Sequence, residues 1–223
     1  MSTIVTSQSN GPSGNVTISP IDAPPASKRE SIFSHLVTSI IFTVVSVVVL
    51  GILYPLLIAG IGSVLFPHQA GGSMIVQNGK PIGSEIIGQL FTKPQYFQGR
   101  PSAAGKNGYD PTSTGGTNLA PTSKKLIDAT KATIAALKKA NPSAAGEPPM
   151  DLITSSGSGI DPDVSPEGAY WQAPRVASAR HLPLADVRAL IGAHIVGRTL
   201  GILGEPRVNV LELNRALDAK SVP

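Results

Sequence analysis

Residues Ile32–Phe66 read IFSHLVTSIIFTVVSVVVLGILYPLLIAGIGSVLF, a run without Lys, Arg, Asp or Glu and with His35 at its edge. About 20 apolar residues at ~1.5 Å rise cross a hydrocarbon core of ~30 Å, and this run is longer than that. A secretory signal has an apolar stretch of only about 7–15 residues followed by a small-residue cleavage site. A buried helix of a water-soluble protein keeps a polar face, which Val44–Ile52 lacks. The run predicts one membrane-spanning helix, at residues 32–62, around which the rest of the chain must be arranged. Tyr54-Pro55 either kinks the span or lies near its far end, where tyrosine favours the interface.

The flanks differ. Residues 1–31 are Ser, Thr, Asn, Gly and Pro with scattered Ile and Val, a polar tail expected to be disordered because it cannot bury a core. There Lys28 and Arg29 balance Asp22 and Glu30, so the net charge of +4 lies beyond Phe66, spread thinly. Nucleic acid is a poor partner for such a surface, since phosphate binding needs clustered cations and base stacking needs aromatics, here only 4%. Lys28 and Arg29 precede the span while only Lys80 follows it closely, which favours a cytoplasmic N-terminus and a C-terminal domain outside.

Residues 67–223 are expected to form one α+β extramembrane domain. Met74–Val76 and Ile82–Ile87 flank Asn78-Gly79, which supplies the positive φ angles of a two-residue hairpin turn. Phe91–Thr117, rich in Gly, Pro, Ser and Asn, is a long irregular loop of the kind kept for function or pinned to a partner. A helix is expected over Ser123–Ala140, with Leu126, Ile127, Thr130, Ile134 and Leu137 on one side. Lys124, Lys131 and Lys138 lie on another side and read as a solvated face. Leu152–Thr154 reads as a short strand. Ser165-Pro166-Glu167 combines a cap, a first-turn proline and a first-turn acid, and starts a helix to about Ala179. A helix from Pro183 to about Gly197, a strand or bend at Val208–Leu211 and a helix over Glu212–Ala219 complete the domain.

The segment SSGSGIDPDVSP, Ser155–Pro166, brings small residues and carboxylates together. It lacks the G-x-x-x-x-G-K-[ST] spacing of a phosphate loop, since Gly157 and Gly159 are too close and no lysine follows. Asp161 and Asp163 alternate as calcium ligands do, but Pro162 separates them and no loop glycine or closing acid follows in register. Ser158 lacks the first glycine of a nucleophile elbow. A glycine turn, with Asp161 or Asp163 accepting backbone N–H groups, is the expectation. The chain has no cysteine, which removes disulfides, thiol chemistry and Cys-ligated metal. His35, His68, His181 and His194 show no zinc-site spacing. A lone span without a central ionisable residue offers no ion path of its own, whereas Gly51, Ala59, Gly60 and Gly62 permit close approach of other spans.

Taken in order, the blocks are Gly51-Ile-Leu-Tyr54-Pro55, Leu65–Ala70, Gly83-Ser84-Glu-Ile-Ile-Gly88-Gln89 and Tyr96-Phe-Gln-Gly-Arg100-Pro101-Ser102. They continue with Gly115-Gly116-Thr117-Asn118-Leu-Ala-Pro121, then Asp151–Pro162 with Ser156, Gly157, Ser158, Gly159, Asp161 and Pro162. Gln172-Ala-Pro-Arg175-Val-Ala and Gly204–Asn214, with Asn209 and Asn214, end the series. From about residue 35 to 219 this series resembles the C subunit of the Kdp-type potassium-transporting P-type ATPases. Thr117 stands where that family usually has serine, and Asp163 where it often has histidine.

The resemblance implies a single-pass, non-catalytic subunit of a bacterial plasma-membrane complex. Its partners would be a channel-like potassium-binding subunit, a P-type ATP-hydrolysing subunit and a very small single-span subunit, together with the lipid bilayer. It implies no tightly bound cofactor or metal in this chain: ATP belongs to the pump subunit and potassium is the transported ion. It further implies assembly of the complex and a catalytic-chaperone effect raising the pump's ATP affinity, linked to a glutamine that Gln172 fits. Two other functions stand beside it: an extracytoplasmic docking or gating module at the potassium entrance without nucleotide contact, and a membrane-anchored hydrolase using Ser156 or Ser158.

Overall fold

The computed structural model describes residues 31–220. The polar tail lies outside them, apart from Ser31.

The apolar run is helical from Ile32 to Leu65, 34 residues, and none of its most apolar stretch is buried by the protein. At ~1.5 Å per residue it is about 50 Å long, which lets it cross a bilayer and extend past the hydrocarbon. Among the described residues this is the single transmembrane helix. It starts as α1 (Ile32–Ser46), where the Ser31 hydroxyl accepts the Phe33 N–H, and ends as α2 (Tyr54–Leu65). Between them Val47–Leu53 is a π-helical segment in which the Tyr54 N–H reaches back to the Val49 carbonyl. Pro55 explains it, because it has no N–H for the Gly51 carbonyl and the ladder ahead of it shifts by one residue. Proline therefore acts inside the helix rather than at its end.

Beyond α2 a short helix α3 (Pro67–Ala70) leads into the hairpin of β1 (Met74–Gln77) and β2 (Lys80–Ser84). Asn78 (φ 52°) and Gly79 (φ 74°) are both left-handed, as a two-residue turn matched to strand twist requires. From Glu85 to Ser123 there is no helix or extended strand, and the irregular loop expected over Phe91–Thr117 is there. The second hairpin strand ends at Ser84, short of the expected Ile87, which makes only an isolated bridge back to Ser84. The helix expected over Ser123–Ala140 is α4 (Lys124–Ala140). Lys124 and Lys138 on its exposed face pair with Asp128 and Glu147.

Leu152–Thr154 is not a strand. It belongs to the short helix α5 (Met150–Ile153), where the Leu152 N–H meets the Pro149 carbonyl and the Thr154 N–H and hydroxyl meet the Met150 carbonyl. Three apolar or branched residues carry no periodicity, and Pro148-Pro149 sets a helix start that outweighs the threonine's preference for strands.

A three-stranded antiparallel sheet then forms from β3 (Asp163–Val164), β4 (Ile195–Val196) and β5 (Arg207–Asn209), in the order β3-β5-β4. Val208 faces both Val164 and Ile195 across the sheet. The helix expected from Pro183 stops early, as α7 (Leu184–Ala193), because Ile195 and Val196 pair with β5 instead. The last strand is Arg207–Asn209, and α8 (Val210–Lys220) begins at once because the Asn209 side chain accepts the Glu212 N–H.

The helix α6 (Pro166–Arg180) begins where Ser165-Pro166 predicts, with the Ser165 hydroxyl accepting the Gly168 N–H at 2.9 Å. It closes on His181, left-handed at φ 56°, with the Leu182 N–H on the Ala177 carbonyl. Ala169, Ala173, Val176 and Ala177 are buried, small enough to let α7 lie close. The core gathers Phe97, Trp171, Ile191, Val208, Leu213 and Leu217, so it includes one aromatic contributed by the irregular loop.

Candidate functional site

An irregular segment beside a core must find partners for its backbone N–H and C=O groups, because leaving them unpaired costs about 1–3 kcal/mol each. Residues 94–104 take those partners from side chains on α6 and α8 and from the backbone of the Ser155–Pro162 turn. Asn214 of α8 accepts the Phe97 N–H at 2.8 Å and donates to the Phe97 carbonyl at 2.9 Å. Gln172 of α6 does the same one residue on, accepting from the Gln98 N–H at 2.8 Å and donating to its carbonyl at 3.0 Å. Two buried carboxamides thus grip consecutive peptide units as a neighbouring strand would.

The arginines of α6 hold the stretch just before. Arg175 Nη1 donates to the Pro94 and Tyr96 carbonyls, and its Nη2 to the Gln172 side-chain oxygen at 2.8 Å. Burial lowers its pKa to about 10, so it is still a cation at neutral pH, solvated by these oxygens. Arg180 Nε donates to the Gln95 carbonyl at 2.7 Å, and its Nη2 pairs with Asp218. Its guanidinium also lies 4.9 Å from the centre of the Tyr96 ring.

The turn grips the stretch just after. Arg100 pairs with Asp161 at 3.1 Å, and the Asp161 second oxygen accepts the Asp163 N–H at 3.0 Å. The Ser102 hydroxyl donates to the Gly159 carbonyl and accepts the Ala104 and Tyr109 N–H groups. The Ser156 N–H meets the Pro101 carbonyl, and Gly116 lies against Gly157. The Tyr109 phenol donates to the Arg100 carbonyl, and burial pushes its pKa up to about 12, helped by the Asp161 charge. Gly88 donates to the Ile160 carbonyl, and a methyl group there would stand 2.4 Å from the Asp161 carbonyl oxygen, which only glycine avoids.

SSGSGIDPDVSP is therefore a glycine turn, with Gly159 left-handed at φ 74° and Asp161 as the side chain that accepts a backbone N–H. Asp163 does not take that role: it opens β3 and pairs with Arg207 at 3.1 Å, and burial raises its pKa. Ser156 and Ser158 use their hydroxyl oxygens to accept the Gly159 and Ile160 N–H groups. The nearest chemistry of the histidines lies elsewhere: His68 contacts Glu85 at 3.2 Å, and His194 Nδ1 contacts the Leu190 carbonyl at 2.8 Å. Among the described residues no three His, Asp or Glu side chains gather as metal ligands would.

Further signature residues stand around this centre. Gln89 donates to the Ile82 carbonyl across Gly83, Ser84 donates to the Gly72 carbonyl, and Asn209 to the Glu85 carbonyl. These bonds fix the β1–β2 hairpin to its neighbours. Asn118 is exposed and left-handed at φ 49°, while Tyr54 and Pro55 belong to the apolar helix. Tyr109 and Asn141, which no sequence motif singles out, and Asp151, the first residue of the Asp151–Pro162 block, prove as involved as the other signature residues. Asn141 donates to the Trp171 carbonyl, and Asp151 accepts the Ser165 N–H.

A cleft of about 520 Å³ opens beside this cluster, lined by Leu90, Phe91, Arg100, Tyr109, Leu137 and Gln172 among others. Its size suits a small ligand. Its one guanidinium is tied to Asp161 through Nη1 while its Nε is buried without a hydrogen-bond partner, and α4 gives the cleft an apolar wall.

Residues 36–219 match the family described as KdpC, K+-transporting ATPase, c chain. The chain belongs to the KdpC family. It is 52% identical over 185 residues to the potassium-transporting ATPase KdpC subunit of Acidobacterium capsulatum, covering 83% of this chain and 98% of that one. The KdpC subunit of Koribacter versatilis is 53% identical over 185 residues, covering 82% and 94%. That of Caulobacter vibrioides is 50% identical over 191 residues, covering 85% and 95%. The KdpC match begins inside the transmembrane helix and ends in α8, so it spans every element of the domain.

Proposed function

We propose that this KdpC chain is a membrane-anchored accessory subunit without chemistry of its own. Its domain lies outside the membrane, docks on the potassium-entrance face of the channel-like subunit, and stabilises the assembled pump. The catalytic-chaperone effect on ATP affinity is then indirect, a coupling free energy passed through the membrane subunits.

One observation carries this reading: Gln172, 2% exposed, has its whole hydrogen-bonding capacity committed inside the domain. Its oxygen accepts from Gln98 and Arg175, and its nitrogen donates to Gln98 and, at 3.4 Å, to Gly168. A glutamine that senses nucleotide needs a free amide. The neighbouring signature residues Arg175, Asn214, Ser102 and Asp161 are committed in the same way, so the signature specifies a shape. The cleft beside Gln172 offers one paired arginine, where a triphosphate needs several cations or a nest of free N–H groups.

The positive charge of the domain opposes a cation entrance only at close range, because screening is strong beyond ~8 Å at physiological salt.

Orientation is tested by reporters fused after the C-terminal residue in the living cell. A reporter that works only outside the cytoplasm should be active. Activity of a reporter that works only in the cytoplasm would overturn the docking reading and reopen direct nucleotide contact.

A further inference from the structure

The connection between β4 and β5, residues 197–206, lifts three large aliphatic side chains off the domain: Leu200 is 85% exposed, Ile202 74% and Leu203 58%. Scattered apolar residues on a surface are ordinary, whereas a contiguous cluster marks a contact. This one is held in shape. The Thr199 N–H donates to the Leu203 carbonyl at 2.9 Å, and the Ile202 and Leu203 N–H groups return to the Thr199 carbonyl. Arg198 and Glu205 pair at the base at 2.6 Å. Leu200 sits left-handed at φ 55°, a conformation glycine favours and leucine does not. Nothing lies within 4 Å of where a side chain on Gly197, Gly201 or Gly204 would begin, so the tip stands clear of the domain.

We propose that Leu200, Ile202 and Leu203 form a peg that inserts into an aliphatic pocket on the extramembrane surface of the channel-like subunit of the potassium-transporting ATPase. The proposal rests on the docking reading above and names the part of the domain that docks. Charge decides between a protein pocket and the bilayer. Loops that dip into membranes combine Trp, Tyr or Phe with free cations for the headgroups. This tip has no aromatic residue and no lysine, and its two cations are neutralised, Arg198 by Glu205 and Arg207 by Asp163. An aliphatic, charge-neutral and preorganised tip fits the centre of a protein interface, which excludes charge and favours groups that lose little freedom on binding.

The test uses the full complex purified from membranes. A photo-crosslinking amino acid at Leu200 should form an adduct with the channel-like subunit, and one at Lys131 on the exposed side of α4 should not. An adduct with phospholipid alone, an adduct only with a different subunit, or an adduct from Lys131 but not from Leu200, overturns the peg. Independently, Leu200→Gly suits the left-handed backbone and should leave the melting of the chain unchanged. It should also speed loss of the subunit from the washed complex at least about tenfold, roughly the loss of one buried anchor. Retention equal to wild type overturns the peg and leaves the docking reading standing. If the wild-type chain itself does not co-purify with other subunits, both fall.

Discussion

Asn214→Ala should be among the most damaging single substitutions in the domain, although it removes only a carboxamide. Asn214 is 2% exposed and Phe97 fully buried, so the two partners at 2.8 and 2.9 Å have no route to water once the side chain is gone. An orphaned N–H and an orphaned C=O at about 1–3 kcal/mol each put the loss near 4 kcal/mol. Domains of this size are stable by about 5–15 kcal/mol. At about 2–4 °C per kcal/mol the midpoint should fall by about 10 °C. The single tryptophan, Trp171, is buried in the same core, so the red shift of its emission during heating of the detergent-solubilised chain reads the transition directly. Asn214→Asp sharpens the test. At neutral pH its carboxylate still accepts the Phe97 N–H but faces the Phe97 carbonyl with a buried charge. Once protonated it restores both bonds, so the folded state raises its pKa and the variant should gain stability as pH falls. A fall of less than about 3 °C for Asn214→Ala, equivalent to about 1 kcal/mol, would refute the claim that this amide holds the loop to the core.

Two further outcomes follow from the same cluster. Gly88→Ala places a methyl 2.4 Å from the Asp161 carbonyl oxygen and 2.7 Å from the Tyr109 ring, so the turn must move. The expected cost is about 3 kcal/mol, seen as a lower melting midpoint by the same emission assay. Tyr109 gives an alkaline signature. Its folded pKa of about 12 lies above its unfolded value, so its contribution is complete below about pH 10 and disappears as pH rises toward 12. Absorbance titration should show a late-ionising phenol that Tyr109→Phe removes.

Local chemistry made much of this fold legible. Asn78-Gly79 can hardly be anything but a hairpin turn between apolar stretches, and Ser165-Pro166 carries both a cap and a preset φ. The apolar run declares itself by length alone. Strands of two and three residues, such as Asp163–Val164 and Ile195–Val196, are too short to show a period, so the sheet and the early end of α7 could not be foreseen. The signature residues were visible but their role was not. Gln98 and Gln172 lie 74 positions apart, and Phe97 and Asn214 lie 117 apart, so no local spacing announces the clamps. In sequence a polar residue bonded to a distant backbone looks the same as one awaiting a ligand.

Gln172 is where the two roles separate most directly. ATP half-saturation should be measured on the assembled complex carrying Gln172→Ala, normalised to the complex present. If the amide holds the domain's shape, half-saturation should stay within about twofold of wild type, a negligible coupling, while the isolated chain melts at a lower temperature. A tenfold loss of ATP affinity, about 1.4 kcal/mol, in a complex of unchanged assembly and melting would contradict the account.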